Sequence, residues 1–323
     1  MKCKILLSFL ILSVNIFPQI IVEEYKPPEG YLRIGPEQER MIPMVEKGFT
    51  LILPEGEEIN GIIVVPGGRR FDFKETAKKT GTLEYEALKK NIGVLHILTG
   101  NPLDFYFTSS IMNDVADELQ EIILDNDLKG KPVYLTGMSL GGTRALKLAI
   151  HLQSNREKFW LQPSAAAVVD APLDMVRIWD VENRAMINNF HPDAVDEGKW
   201  VTYLLKENIG TPQENFNNYI DYSPFVYSAE DGENADDLRN IPVRAYHEPD
   251  VNWWIENRRK DYYSMNSVDM AGLINQLKLL NNENAELITT YQKREGFNEG
   301  TSPHTDTFVN YEELMDWFLS FQK

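Results

Sequence analysis

The chain has 323 residues, enough to bury a large core and to carry one α/β domain with an insertion. Its 49 acidic against 32 basic residues leave a formal charge of -17, which disfavours nucleic acid and anionic membranes, since both require basic patches. The sole cysteine, Cys3, precedes an apolar run, so the chain beyond that run has no thiol, which excludes a cysteine nucleophile, a disulfide and a thiolate metal site.

Lys2 and Lys4 form a short basic start, and Ile5 to Phe17 is apolar apart from Ser8, Ser13 and Asn15. The run is too short to cross a membrane with ease, and polar sequence begins at Glu23. Residues 1–19 therefore read as a secretory signal peptide, with an uncleaved anchor as the alternative. The pattern resembles that of exported proteins of Gram-negative bacteria. It predicts a periplasmic or secreted protein with no stable membrane association after cleavage. Cys3 lies on the wrong side of the run to carry a lipid.

Residues 20–48, with Pro27, Pro28, Gly30, Gly35, Pro36 and Pro43, read as an extended N-terminal arm with at most a short strand. The main domain is expected over 49–323. Phe49 to Leu53 and Gly61 to Val65 read as strands, separated by a hairpin-like break at Pro54-Glu55-Gly56. Further strands are expected at Ile92 to Leu98, Val133 to Met138, Ala165 to Asp170, Pro242 to His247 and Leu287 to Gln292. Helical patterns lie between and after them, at Glu75 to Asn91, Ser110 to Asp127, Leu140 to Gln153, Met265 to Asn281 and Tyr311 to Phe321. Strand-helix alternation of this kind predicts an α/β fold, a mostly parallel sheet covered by helices on both faces.

The alternation breaks once, between Asp174 and about Tyr222, where no strand is convincing and Trp179, Phe190, Trp200, Tyr203, Phe216 and Tyr219 are interspersed. This stretch, about 175–222, reads as a helical insertion that packs its aromatics on itself and caps a site, shaping an apolar or sugar-stacking pocket. The acidic run Glu230 to Asp237 reads as a solvated loop; it lacks the spacing of an EF-hand, and calcium is the lesser alternative.

The stretch Val133-Tyr134-Leu135-Thr136-Gly137-Met138-Ser139-Leu140-Gly141-Gly142 carries the chemistry. A strand followed by Gly-x-Ser-x-Gly and a helix is the order in which a sharp turn lifts a serine hydroxyl above a sheet. Glycines at 137 and 141 remove side chains that would clash there. The alternative is an ordinary turn with Ser139 as a helix cap.

A serine hydroxyl needs a base. Of five histidines, only His304 follows the last strand, in a loop that can reach the carboxyl end of the sheet. His96 and His247 belong to strands, His151 to the helix after Ser139, and His191 to the insertion. The base in turn needs a carboxylate to hold its tautomer. Asp250, just past the strand Pro242 to His247, is favoured, with Glu248 and the pair Asp170/Asp174 as competitors. For the developing oxyanion, the N–H of Leu140 supplies one donor. The loop Pro66-Gly67-Gly68-Arg69 supplies the other, from Gly68 or, close behind it, Arg69.

These residues, in the order Ser139, Asp250, His304, resemble the α/β-hydrolase-fold serine hydrolases, esterases and lipases included, over residues 49–323. The resemblance implies Ser139 as nucleophile, His304 as base and Asp250 as acid, with an acyl-enzyme released by water and no metal or cofactor. It implies a sheet of eight-stranded type with a helical cap insertion but does not give the substrate, for which a small-molecule or carbohydrate-linked ester is the expectation. Peptidase or amidase action, and a catalytically silent binding protein of the same fold, are the alternatives.

Overall fold

The computed structural model describes residues 19–35, 40–70, 73–106, 108–296 and 300–322. The expected signal peptide, up to residue 18, lies outside the described residues. Gln19 already belongs to the first strand.

Eight strands form one sheet. They are β1 (Gln19–Lys26), β4 (Lys47–Pro54), β5 (Gly61–Pro66), β6 (Ile92–Thr99), β7 (Val133–Met138), β8 (Pro163–Val169), β9 (Val243–His247) and β10 (Ala285–Thr289). Their order is β1-β4-β6-β5-β7-β8-β9-β10. β1 and β4 pair antiparallel, as do β4 and β6; every other pairing is parallel. A separate antiparallel ribbon joins β2 (Tyr31–Ile34) to β3 (Arg40–Pro43).

The strand pairing changes two sequence expectations. The break after Leu53 is no hairpin: β6 lies between β4 and β5, and Leu95 pairs with Leu51 on one side and Val64 on the other. β5 is nearly all buried, and such a strand needs neighbours on both edges rather than one hairpin partner. The arm at 20–48 is likewise more regular than its prolines suggest. Ile20, Ile21 and Val22 pair with β4, and Pro27 and Pro28 only end that strand.

Period-two alternation sorts the strands between two cores. Val133 and Leu135 of β7 join Ile62, Val64, Ala166 and Val168 on one face. The helices α3 (Ser109–Asp125), α4 (Leu140–Ser154) and α9 (Ser267–Leu279) cover that face with Val115, Leu119, Leu148, Leu273 and Leu277. Tyr134 points the other way and stacks on Phe318 of α10 (Tyr311–Leu319), with ring centroids 4.7 Å apart. That second face is closed by α10 and α2 (Leu83–Lys89). The helix expected from Glu75 to Asn91 is split, because Gly81 turns the chain at φ +84° between α1 (Phe73–Thr76) and α2, and Thr82 caps the latter.

Between β8 and β9 lie α5 (Met175–Asn188), α6 (Pro192–Ile209) and α7 (Phe216–Tyr222), matching the expected helical insertion. They form a core of their own around Met175, Ile178, Leu204, Leu205 and Tyr219. Gly198 allows the close approach of α6 to α5, since a Cβ there would meet the Glu182 carbonyl at 2.6 Å. The acidic run differs from the loop expected of it. Glu230–Leu238 coils into 3-10 turns that bury Ala235 and Leu238 in the main core, and this burial orders the run despite its charge. After β9 come α8 (Val251–Arg258) and a 3-10 turn at Tyr262–Ser264.

Candidate active site

β7 ends at Met138, and the next residue, Ser139, adopts φ 54° and ψ -130° before α4 begins. A non-glycine residue in that region is strained and persists only where its surroundings impose it. The surroundings do so here. The Ser139 N–H donates to Val169 O at 2.8 Å, and the Ser139 carbonyl accepts from Gly142 and Thr143. A Cβ at Gly137 would lie 2.4 Å from the Gly141 backbone, and one at Gly142 would lie 2.7 Å from Ala171 Cβ. Gly137 is thus required, as the sequence suggests. The second tight position is Gly142 rather than Gly141, whose Cβ would meet only Pro66 O at 3.2 Å.

Ser139 Oγ lies 3.0 Å from His304 Nε2, and His304 Nδ1 lies 2.6 Å from Asp170 Oδ2. With the imidazole neutral and its Nδ1–H donated to Asp170, Nε2 is left to accept the Ser139 proton. The other histidines are engaged elsewhere. His96 pairs with Glu84 at 2.9 Å, His151 with Asn113 at 3.1 Å and His247 with Thr289 at 2.6 Å. His191 caps α6.

The carboxylate is the correction. Asp250, favoured from chain order, does not reach His304. Its Oδ1 accepts from Trp253 N at 3.1 Å, capping α8, and its Oδ2 accepts from Arg294 Nη2 at 2.8 Å. Glu248 is taken as well, by the Arg294 guanidinium, by Thr290 Oγ1 at 3.0 Å and by the Lys293 N–H at 2.7 Å. Asp174 caps α5 and accepts from Tyr227 N at 3.0 Å. Asp170, one of the competitors, is left to meet the imidazole. A local signal was available: Asp250 stands three residues before Trp253 at the head of an apolar run, which is the pattern of a helix N-cap.

Asp170 sits one residue past β8 with a left-handed backbone, φ 41°. Three contacts hold it there. Its N–H donates to Tyr246 O at 2.9 Å, and its carbonyl accepts from Asn266 Nδ2 at 3.0 Å. Asp269 of α9, buried, then accepts the Leu173 and Asp174 N–H groups at 2.8 and 3.1 Å and binds Arg177 with both oxygens. The loop after β8 is therefore anchored by α9 and its N-cap residue, Asn266.

Arg294 carries a testable consequence for stability. Its guanidinium and the Glu248 carboxylate are almost wholly buried, with side chains 1% and 2% exposed. Arg294→Met leaves Glu248 as an uncompensated buried charge, so urea unfolding should show a loss of about 3–5 kcal/mol. A loss below about 1 kcal/mol, the level of an exposed pair, would contradict this reading.

Leu140 is the first residue of α4, a position whose N–H has no partner within the helix. On the opposite loop the Gly67 N–H is already committed to Ile97 O at 2.9 Å. Gly68 follows it, close enough to the elbow helix that a Cβ would lie 3.4 Å from Arg144 Nη1. Arg144 is a residue that sequence reasoning missed. Buried to 2% exposure in α4, it donates Nη1 to Gly67 O at 2.8 Å, Nη2 to Pro102 O at 3.0 Å and Nε to Asp104 O. One guanidinium thus ties the helix behind Ser139 to the loops after β5 and β6. The available signal was a basic residue, with Lys147 close by, amid Ala145, Leu146 and Leu148 on a helix made to pack on a sheet.

The insertion reaches this site. Leu140, next to Ser139, packs against the core formed by α5, α6 and α7, as does Leu103. Trp179 and Tyr219 spend their rings on each other, edge to face at 6.4 Å, whereas Phe190 is exposed. Lys260, buried, bonds to Glu182 of α5 at 3.0 Å and to Glu197 of α6 at 2.8 Å, pinning both helices to the segment after α8.

Burial pushes the His304 pKa down, but the hydrogen bond and the charge of Asp170 outweigh it, and the net shift is upward from the ordinary 6.5. The charged form of the imidazole is therefore favoured.

No family model matches the sequence, and no curated protein matches it. Solved structures do match in fold. Carboxyl esterase 2 from the mycorrhizal fungus Tuber melanosporum is 14% identical, with a TM-score of 0.53 over 98% of this chain and 90% of that one. Brefeldin A esterase, a bacterial homologue of human hormone sensitive lipase, is 13% identical, with a TM-score of 0.54 over 98% and 80% of the two chains. S-formylglutathione hydrolase from Agrobacterium tumefaciens is 12% identical, with a TM-score of 0.53 over 95% and 97%. Other neighbours are much longer. The chain spans 42% of the length of Pyrococcus horikoshii acylaminoacyl peptidase and 40% of that of puromycin hydrolase.

Proposed function

We propose that this protein, whose fold is the α/β-hydrolase fold, is a serine hydrolase that cleaves carboxylic esters through an acyl-enzyme. The observation that carries the proposal is the continuous contact from Ser139 Oγ through the His304 ring to Asp170. His304 Nε2 takes the serine proton as Oγ attacks the acyl carbon, and Asp170 holds the imidazole in the required tautomer and balances its charge. The N–H groups of Leu140 and Gly68 are proposed to receive the oxyanion. His304 then returns the proton to the departing alkoxide, and a water activated by the same imidazole releases the acid. Small-molecule or carbohydrate-linked esters are the proposed substrates. The basic and apolar residues from Lys2 to Phe17 support export as the setting.

The assembled serine, histidine and carboxylate favour catalysis over a silent binding role. The direct test is a panel of p-nitrophenyl esters of increasing acyl length beside matched p-nitroanilides. Turnover of esters well above amides is expected. Faster amide cleavage would move the reading to a peptidase, and no turnover of either would overturn it.

The raised His304 pKa sets a pH dependence. The base works only when neutral, so activity is lost as pH falls through its pKa. The acid limb of kcat/KM is therefore expected above the ordinary imidazole value of 6.5, and Asp170→Asn should move it downward. An inflection below 6.5 that Asp170→Asn leaves in place would contradict the assignment.

A further inference from the structure

A pocket of about 770 Å³ lies between α5, the Tyr262–Ser264 turn and α9, and the chemistry described above makes no use of it. Its size is in the range of small-ligand sites. Three tyrosines line it: Tyr227, Tyr262 and Tyr263, exposed to 82%, 42% and 76%. Phe225 contributes to its floor, lying so close to α9 that a Cβ at Gly272 would meet its ring at 2.7 Å.

The charges around the pocket decide which ligands fit. Both of its cations are already neutralised, Arg177 by Asp269 at 2.7 Å and Arg184 by Asp261 at 3.0 Å. An anionic ligand, such as a phosphate or a uronic acid, would find no unneutralised cation. Asp180, by contrast, has no hydrogen bond or ion pair among the described residues, and neither do the three tyrosine hydroxyls. A hydrocarbon chain would offer these groups no hydrogen bond. The three rings do not stack on one another among the described residues, so their faces are open to a ligand. An extended neutral ligand with apolar faces and many hydroxyls meets every one of these conditions.

We propose that this pocket is a binding site for a neutral oligosaccharide, distinct from the Ser139 centre. The sugar's C–H faces stack on Tyr227 and Tyr263, and its hydroxyls bond Asp180 and the tyrosine hydroxyls. The site would hold the protein on a neutral glycan while Ser139 acts, and it does not depend on which bond Ser139 cleaves.

Native affinity electrophoresis of full-length Ser139→Ala protein in gels containing xylan, glucomannan or mixed-linkage β-glucan tests this. Retardation by at least one polymer is expected, lost in Ser139→Ala/Tyr227→Ala/Tyr263→Ala and largely kept with Tyr263→Phe alone. Both rings are mostly exposed, so the Tyr227→Ala/Tyr263→Ala protein with Ser139 intact should keep its melting temperature and its turnover of p-nitrophenyl acetate. Unretarded migration in all three gels, or retardation unchanged by removal of the two rings, would overturn the proposal. So would saturable binding of tetramethylammonium without any glycan binding.

Discussion

Asp170→Asn is expected to lower kcat for ester hydrolysis by about 10⁴-fold, whereas Asp250→Asn should leave it within about threefold of the parent. An asparagine at 170 keeps the shape of the side chain but removes the charge that stabilises the imidazolium. Its amide also favours the wrong histidine tautomer, with Nδ1 as an acceptor and Nε2 unable to take the Ser139 proton. Asp250 has neither role. Both of its oxygens are engaged, one by the Trp253 N–H at 3.1 Å and one by Arg294 at 2.8 Å. Asparagine caps a helix as well as aspartate does, so the replacement removes only the charge that meets Arg294. Steady-state kinetics on the two variants, each checked by its melting temperature, decide the matter. A larger loss for Asp250→Asn would return the acid to the loop after β9.

His304→Ala should cost more still, about 10⁶-fold in kcat, because the hydroxyl of Ser139 is left without a base. The instructive comparison is with the double variant His304→Ala/Asp170→Asn. If Asp170 acts only through the imidazole, its removal costs nothing once the imidazole is gone, and the double variant is as active as His304→Ala alone. Losses that multiply would show that Asp170 acts on the substrate directly. Among the described residues, Ser139 and Asp170 are the side chains on the two ring nitrogens of His304.

Much of this site is legible in the order and spacing of the residues, and the reasons differ from one residue to the next. Ser139 can be read because its context is local, a strand with Val133 and Leu135 on one face, a turn that admits no Cβ at Gly137, and a helix. His304 can be read because only one histidine follows the last strand. Asp170 cannot be singled out, because chain order alone does not say which of two adjacent loops meets the imidazole. That choice is made by long-range contacts: Asn266 and Asp269 hold the loop after β8, and Arg294 holds Glu248 and Asp250. Arg144 escapes notice for the opposite reason. Its position in a helix is plain, but its three carbonyl partners come from loops 40 to 77 residues away in sequence. At the level of fold, helix and strand periodicity locates most elements. Strand order is another matter, since the insertion of β6 between β4 and β5 leaves no mark on local spacing.

The central claim is that Ser139 is a nucleophile made reactive by His304. Its most direct test is treatment of the folded, full-length protein with a fluorophosphonate probe, followed by mass spectrometry of its peptides. A single adduct on Ser139 is expected, absent after acid unfolding and absent in Ser139→Ala. An adduct on another residue, or labelling that survives Ser139→Ala, would contradict the account.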